Sequence, residues 1–240
     1  MPFAAPPTLH ALAERSIALI EAHQHPSGAY PASPTYPVYR YSWLRDGSFI
    51  ADAMSRAGRP DSAEAFFGWC ARVMQDRSDR VAELVARAGR SEHIGADEML
   101  PARYTLDGGD SDEPWWNFQL DGYGTWLWAL HAHLARYGRP AEPYQSAVAS
   151  TVDYLVAFGD RPCYDWWEEH PEHQHVATLG AVTAGLRAAT VLVDKHGRPL
   201  LDATRRASAR ERALAINALI LERGVHDGHL TKWLGSTAVD

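Results

Sequence analysis

The chain has 240 residues, of which 46% are hydrophobic and 22% are charged, a balance typical of a globular protein with a sizeable core. Its 23 Lys and Arg residues against 30 Asp and Glu give a net charge of −7, which argues against nucleic acid or an anionic membrane surface as a partner. Two distant cysteines, Cys70 and Cys163, indicate neither a disulfide framework nor a zinc site. Because no signal-peptide pattern and no apolar run of membrane-spanning length is present, we predict a cytoplasmic protein.

Apolar residues recur at helical spacing along seven segments, and no segment of useful length shows the alternation of a strand. Long connections rich in Trp, Arg, Asp and Glu follow the first, third and fifth helices, whereas short connections containing Gly-Arg-Pro follow the second, fourth and sixth. Helical hairpins with this alternation predict an all-α toroid whose long loops gather at one end, and residues 1–240 read as one helical domain. The predicted helices cover residues 9–22, 47–57, 61–88, 122–137, 144–158, 175–194 and 202–223.

The segment from Cys163 to His170 concentrates carboxylates and aromatic rings. Three acids and three aromatic residues occupy positions 164–169. A carboxyl group packed against indole rings loses water, which favours its neutral form and prepares it to act as a general acid. Flat ring faces are also surfaces on which sugars stack. Taken alone, the segment is equally compatible with a solvated surface cluster.

Two other long loops combine rings with hydrogen-bonding groups. In the first, Arg45 and Asp46 follow an aromatic pair and can present a donor fork and an acceptor to vicinal hydroxyls. An ion pair at the start of a helix is the structural alternative for these two residues. The second loop carries two tryptophans at 115 and 116, followed by a glutamine at 119 and an aspartate at 121.

Three motifs, taken in this order, resemble glycoside hydrolase family 15: Tyr-Ser-Trp-Leu-Arg-Asp at 41–46, Gln-Leu-Asp-Gly at 119–122 and Tyr-Asp-Trp-Trp-Glu-Glu at 164–169. That family includes glucoamylases, glucodextranases, isomaltose-acting enzymes and some trehalases. The resemblance implies an (α/α)6 barrel and an inverting, exo-acting α-glucosidase with Glu168 as the general acid. The residues that we expect to bind the substrate are Tyr41, Trp43, Arg45, Asp46, Trp115, Trp116, Gln119, Asp121, Asp165, Trp167 and Glu169.

The general base is not among these residues. Inversion needs a second carboxylate roughly 6.5–9.5 Å from the acid, and the adjacent Glu168 and Glu169 cannot bracket a sugar ring. In the family pattern the base follows in a later loop, and seven helices precede Asp240 where the family fold needs twelve. We therefore predict the first half to two-thirds of the barrel, a base beyond Asp240, and an inactive 240-residue chain. Short α-gluco-oligosaccharides are the expected substrates, with the α-1,4, α-1,6 and α,α-1,1 linkages left open.

Three alternatives remain beside this interpretation. The first is a non-catalytic carbohydrate-binding or regulatory toroid, and the second is a helical scaffold for protein partners, which would not need Trp and acids concentrated in alternate loops. The third is a metal site formed by His170, His173, His175 and Glu172. Because Pro171 and the irregular spacing of the histidines disfavour a paired helical site, we expect no metal and no other cofactor.

Overall fold

The computed structural model describes residues 9–239. In this range the backbone forms eight α-helices, two short antiparallel strand pairs and three single turns of 3-10 helix. None of the helices in residues 9–239 is both long enough and apolar enough to cross a membrane. The elements are α1 Leu9–His23, β1 Tyr41–Trp43, α2 Leu44–Arg56, α3 Pro60–Gln75, α4 Ser78–Gly89, β2 Arg103–Thr105, α5 Asp121–Tyr137, α6 Gln145–Phe158, α7 Val176–Ala189, α8 Ala203–Arg223, β3 Val225–His226 and β4 His229–Leu230.

The third predicted helix is in fact two helices, so the prediction of one helix over residues 61–88 is wrong. The chain turns at Asp76 and Arg77, where α3 ends and α4 begins. No glycine or proline marks this turn, and the buried Val81 and Leu84 continue the helical spacing of α3. Tertiary packing explains the break: α3 contacts α2 and α6, whereas α4 contacts α6, and the turn at 76–77 allows the two segments to pack independently.

The helices are arranged in two layers. The helices α2, α5 and α7 lie side by side with α5 in the middle, and α3, α6 and α8 pack outside them. The pairs α2–α3, α5–α6 and α7–α8 are the hairpins that the short connections predict. Gly58, Gly138 and Gly197 in these connections have φ angles of 75°, 60° and 72°. Since this left-handed region favours glycine, the repeated Gly-Arg-Pro triplet has a direct conformational cause.

The backbones of α5 and α7 approach each other without intervening side chains. A Cβ atom added to Gly124 would overlap the carbonyl oxygen of Ala181 and would lie 2.8 Å from the Cα of Val182. A Cβ atom on Gly185 would in turn overlap the backbone of Gly124. Glycine at these positions therefore allows the two inner helices to touch, which fixes the relative position of the loops that precede them.

Two local features differ from the sequence-based expectation. The strand β1 pairs with β2, with Trp43 opposite Arg103; strands of three residues are too short for alternation to reveal. The helix α2 begins at Leu44 rather than near residue 47. Arg45 and Asp46 consequently lie in its first turn, on a rigid element, instead of in the loop before it.

Candidate active site

The three long loops meet at the N-terminal ends of α2, α5 and α7, as predicted. Side-chain hydrogen bonds join β1 and the first turn of α2 to the segment 115–121, and join both to the segment 164–169. We refer to the residues 164–170 as the acid loop. The packing of the inner helices thus brings together side chains that are up to 125 positions apart in sequence.

The centre of this cluster is the carboxylate of Glu168. Its Oε1 accepts hydrogen bonds from Trp115 Nε1 at 2.7 Å, Gln119 Nε2 at 3.1 Å and Trp43 Nε1 at 3.4 Å. Three N–H donors on one oxygen leave no room for a proton there, so in the acid form the proton resides on Oε2. The cluster therefore holds Glu168 by one oxygen, and Oε2 takes no part in these three hydrogen bonds.

Gln119 connects this acid to a charged pair. Its Oε1 accepts a hydrogen bond from Arg45 Nη1 at 2.8 Å, and the same nitrogen donates to Asp121 Oδ2 at 2.9 Å. Arg45 Nε lies 3.4 Å from Asp46 Oδ2. Asp121 also accepts the backbone N–H of Gly122 at 2.7 Å, at the start of α5. Arg45 is thus fixed in place before any ligand binds.

The charged pair has perturbed acid–base properties. Desolvation raises the pKa of Asp46 above its ordinary value, although the Arg45 cation opposes the shift. Burial by itself would lower the pKa of Arg45, but the nearby Asp121 and Asp46 carboxylates raise it. Within the described residues, Asp46 Oδ2 is buried without a hydrogen-bond donor. This oxygen faces Arg45 Nε at 3.4 Å, so Arg45 and Asp46 are held together by charge rather than by a short hydrogen bond.

The buried side chain of Asp165 holds the backbone of the acid loop. It is 1% exposed, and its Oδ1 accepts the backbone N–H groups of Trp167 at 3.0 Å and Glu169 at 2.9 Å. Glu168 between them has a φ angle of 65°, a left-handed conformation that is uncommon for a residue with a side chain. These hydrogen bonds therefore impose the backbone conformation from which Glu168 reaches its three donors.

One side of the cluster is open. Trp116, Trp166 and Trp167 are exposed to 49%, 43% and 66%, and an open cavity of about 520 Å³ lies between the acid loop and α2. Exposed ring faces beside a carboxylate are the arrangement expected of a sugar-binding surface. The cavity is lined by Ala32, Arg45, Asp46, Phe49, Ile50, Trp166 and Trp167.

All predicted site residues belong to this end of the molecule, but they divide into two groups. Hydrogen bonds join the first group to Glu168: Trp43, Trp115 and Gln119 directly, Arg45 through Gln119, and Asp121 through Arg45 and Gln119. The others lie around this network: Tyr41 packs edge-on against Trp43, Trp116 against Trp115, and Glu169 pairs with Lys232.

Sequence reasoning missed three residues of the cluster. Tyr39 packs against Trp43 and Trp115, and Arg103 lies behind the same two rings. Lys232 follows α8 and places its Nζ 3.6 Å from Asp165 Oδ2 and 3.3 Å from Glu169 Oε2. Tyr39 could have been included, since it stands in the same aromatic run as residue 41. Nothing near Lys232 in the sequence connects it with the acid loop.

The histidines of the acid loop and its exit surround Trp233. The ring of His173 stacks on Trp233 with centroids 4.3 Å apart, and His170 packs against the same indole at 5.2 Å. The buried His175 faces the carbonyl oxygen of His170 with Nε2, at 2.8 Å. Within residues 9–239 no group of three or more His, Cys, Asp or Glu side chains could hold a metal ion. These histidines hold the loop by ring packing and hydrogen bonds.

Comparison with known proteins agrees with this geometry. The family model described as "Glycosyl hydrolases family 15" matches residues 6–221. An isomaltose glucohydrolase of Kribbella flavida is 49% identical over 233 residues, which are 97% of this chain and 59% of that protein. A trehalase of Mycolicibacterium smegmatis is 25% identical, over 90% of this chain and 34% of the trehalase. The chain therefore spans less than two thirds of the length of these relatives.

Solved structures show the same relation. A structure described as a wild-type glycosidase superposes with a TM-score of 0.91 at 48% identity, over 97% of this chain and 62% of that one, and a variant of a glycosidase in complex with glucose gives the same score. A glucoamylase of Saccharomycopsis fibuligera, 14% identical, shares the fold alone, with a TM-score of 0.68 over 95% of this chain and 53% of its own. The predicted helical toroid, present in part, is confirmed. From its sequence and its fold, the chain belongs to glycosyl hydrolases family 15.

Proposed function

We propose that the chain is the acid-bearing part of an inverting, exo-acting α-glucosidase that releases glucose from short α-glucosides. The observation that carries the proposal is the fixed carboxyl of Glu168, which accepts three N–H donors through Oε1; Oε2 is outside this set of bonds and would give the proton. Glucose would lie beside it, with its hydroxyls on Arg45 and Asp46 and its ring against the exposed indoles of the site. Membership of the family and a glucose-bound neighbouring structure support this assignment.

The reaction that we propose balances with two carboxyl groups. The proton on Glu168 Oε2 passes to the glycosidic oxygen as the bond from that oxygen to C1 of glucose breaks. A carboxylate on the opposite face removes a proton from water, whose oxygen attacks C1 and inverts its configuration. Glu169 is adjacent to Glu168 and points away toward Lys232, so it cannot be this base. We infer that the base belongs to the part of the relatives' length that this chain does not span.

The substrate class follows from the relatives and from the open site. The protein that is 49% identical is named an isomaltose glucohydrolase, which makes isomaltose, with its α-1,6 linkage, the first substrate to test. The matches to a trehalase and to a glucoamylase of Clostridium keep the α,α-1,1 and α-1,4 linkages in the panel. A single glucose subsite on a fixed Arg–Asp pair is consistent with all three. The cytoplasmic location and the assignment of residues 1–240 to one domain stay predictions.

The test begins with the intact mass of the native gene product, purified from its source. It is followed by assays on isomaltose, maltose and trehalose, with the anomer of the released glucose read by NMR. A mass well above 26.6 kDa together with release of β-glucose supports the proposal. A mass that matches 240 residues, with glucose binding but no turnover, favours the carbohydrate-binding alternative. If the glucose whose C1–O bond is cleaved in isomaltose or maltose is first formed as the α-anomer, inversion is contradicted.

A further inference from the structure

Arg103 is completely buried behind the site, and aromatic rings form its closest surroundings. Its side chain is 0% exposed. Its Cζ lies 4.1 Å from the ring centroid of Tyr41, 4.0 Å from that of Trp115 and 5.4 Å from that of Trp43. We call these three rings the aromatic cage. A buried cation is costly unless acceptors or ring faces replace its water, and the cage supplies ring faces.

The polar contacts of Arg103 are long for hydrogen bonds. Its guanidinium donates to Val38 O and to Ser111 Oγ at 3.4 Å each, and lies 3.6 Å from the carboxylate of Glu113. Its buried Nε has no hydrogen-bond partner within the described residues. Desolvation lowers the pKa of Arg103 from its ordinary value, yet a guanidinium stays protonated in proteins. Stacking on rings is therefore its main interaction.

The cage is connected to the acid. Two of its rings, Trp43 and Trp115, donate their indole N–H groups to Glu168 Oε1. Trp43 stands directly opposite Arg103 in the β1–β2 pair, so its backbone is fixed by the strand register. Trp115 has no such anchor, because it lies in the loop before α5. Its indole is held instead between Arg103 and the neighbouring rings.

We propose that Arg103 is a positioning residue for the acid: its planar guanidinium, held between Tyr41 and Trp115, orients the Trp115 indole N–H toward Glu168. A rotation of this indole by a few tens of degrees would break a 2.7 Å hydrogen bond, because such bonds weaken steeply with angle. Glu168 would then lose the shortest of the three hydrogen bonds that fix Oε1. The inference rests on the proposed function only in naming Glu168 as the acid; the orientation of the indole can be measured without activity.

The experiment is NMR of the 240-residue chain with ¹⁵N-labelled tryptophan. The indole N–H resonances of Trp43 and Trp115 are assigned with Trp→Phe variants, and E168Q gives their positions without a carboxylate acceptor. In the unmodified chain we expect the Trp115 resonance to shift when the carboxyl is protonated in an acid titration. In R103K, which keeps the charge and loses the plane, we expect it to move toward its position in E168Q and to lose that response.

A second variant and a matched control make the result decisive. Y41L removes one ring of the aromatic cage and leaves Arg103 itself unchanged. We expect the same movement of the Trp115 resonance as in R103K. R77K alters another arginine over a ring, since the Arg77 Cζ lies 4.4 Å from the centroid of Tyr104, and should leave the Trp115 resonance unchanged. If both R103K and Y41L fold, by circular dichroism, and keep the unmodified resonance and its titration, the proposal is overturned. If only one of the two variants moves the Trp115 resonance, the proposal that Arg103 is held between Tyr41 and Trp115 is likewise overturned.

Activity provides an independent reading on the native gene product. We expect R103K to lower kcat by about 10- to 100-fold, on the scale of a misplaced catalytic group, with little change in KM. A native protein that hydrolyses no glucoside would refute the proposed function and leave the NMR result standing. An active R103K variant with unchanged kcat would instead refute the role of Arg103 alone.

Discussion

Trp115 Nε1 and Glu168 Oε1 are 2.7 Å apart, the shortest of the three hydrogen bonds that converge on this oxygen. An indole N–H is a donor only, so it can never accept the proton of the acid and always directs that proton to Oε2. Under the proposed function, the pair thus selects which carboxyl oxygen gives the proton. Because Trp115 and Glu168 belong to loops 53 positions apart, this selection depends on the packing of α5 against α7.

Replacement of Glu168 by glutamine is the direct test of the acid. E168Q keeps an oxygen for the three donors and replaces the acidic O–H at the second position by an amide NH2, which cannot give up a proton. The fold should therefore be unchanged. We expect kcat of the native gene product to fall by about 10²- to 10⁴-fold, the usual contribution of general acid–base catalysis. The control is E172Q, since Glu172 is an exposed carboxylate paired only with histidines. Substantial hydrolysis of isomaltose by E168Q would remove Glu168 from the acid role.

Replacement of Arg45 by alanine tests the glucose subsite. Arg45 is 13% exposed and bonded to both Gln119 and Asp121, so its guanidinium is held in place at the wall of the open cavity. Loss of a charge-assisted contact worth about 1.5–3 kcal/mol should weaken glucose binding by about 10- to 100-fold. Isothermal titration with glucose measures the effect, and R40A at an exposed position nearby is the control. An unchanged affinity in R45A would show that Arg45 acts only within the protein.

The sequence was sufficient to predict the hairpins and the loops of the site because their signals are local. Gly58 and Gly138 follow the ends of α2 and α5, and Gly197 lies within the connection from α7 to α8. The Trp and acid residues stand together in the loops between hairpins. The composition of residues 164–169 indicated a candidate site, but by itself it was equally compatible with a solvated surface cluster; the choice between the two rested on the resemblance of the three motifs to the family. What periodicity and turn residues specify within ten or so positions could therefore be read directly.

Features that depend on distant partners could not be predicted in this way. The turn between α3 and α4 arises from packing against different helices, and the β1–β2 pair has only three residues on each side. Arg103 and Lys232 carry no local sign of their contacts with Trp115 and Asp165. In both residues a long side chain makes the contact with a distant segment, and the neighbouring sequence gives no indication of that contact.

The acid loop offers a test that separates hydrogen bonding from charge. Asp165 accepts two backbone N–H groups through Oδ1, while its Oδ2 faces Lys232 at 3.6 Å and His175 at 3.9 Å. D165A removes both functions and should lower the free energy of unfolding by about 1–3 kcal/mol, because two backbone N–H groups lose their shared acceptor. D165N keeps an oxygen for them and should cost less than half as much.

Urea unfolding of the two variants gives the comparison. If D165N destabilises the chain as strongly as D165A, the charge opposite Lys232 and His175 is the larger contribution, and the hydrogen bonds at Oδ1 do not hold the loop. The matched surface variant is D227N, in the exposed turn between β3 and β4, whose carboxylate is 86% exposed and pairs with the adjacent His226. It should leave the unfolding free energy nearly unchanged.

The contact between α5 and α7 makes a sharp prediction about two glycines. Gly124 is in α5, and an alanine there would place its methyl group in the backbone of Ala181 and Val182 in α7. Gly180 is in α7, and an alanine at that position would meet nothing within 4 Å. We expect G124A to lower the free energy of unfolding by about 1–3 kcal/mol, the usual range for overpacking. G180A should be neutral or raise the free energy of unfolding by about 0.5–1 kcal/mol, because alanine is more favourable than glycine within a helix.

Since the separation of α5 and α7 sets the distance between Trp115 and Glu168, the Trp115 indole resonance should also move in G124A and stay in place in G180A. Equal stability of the two variants would mean that the inner helices can separate without cost, and the fixed geometry of the acid would need another explanation.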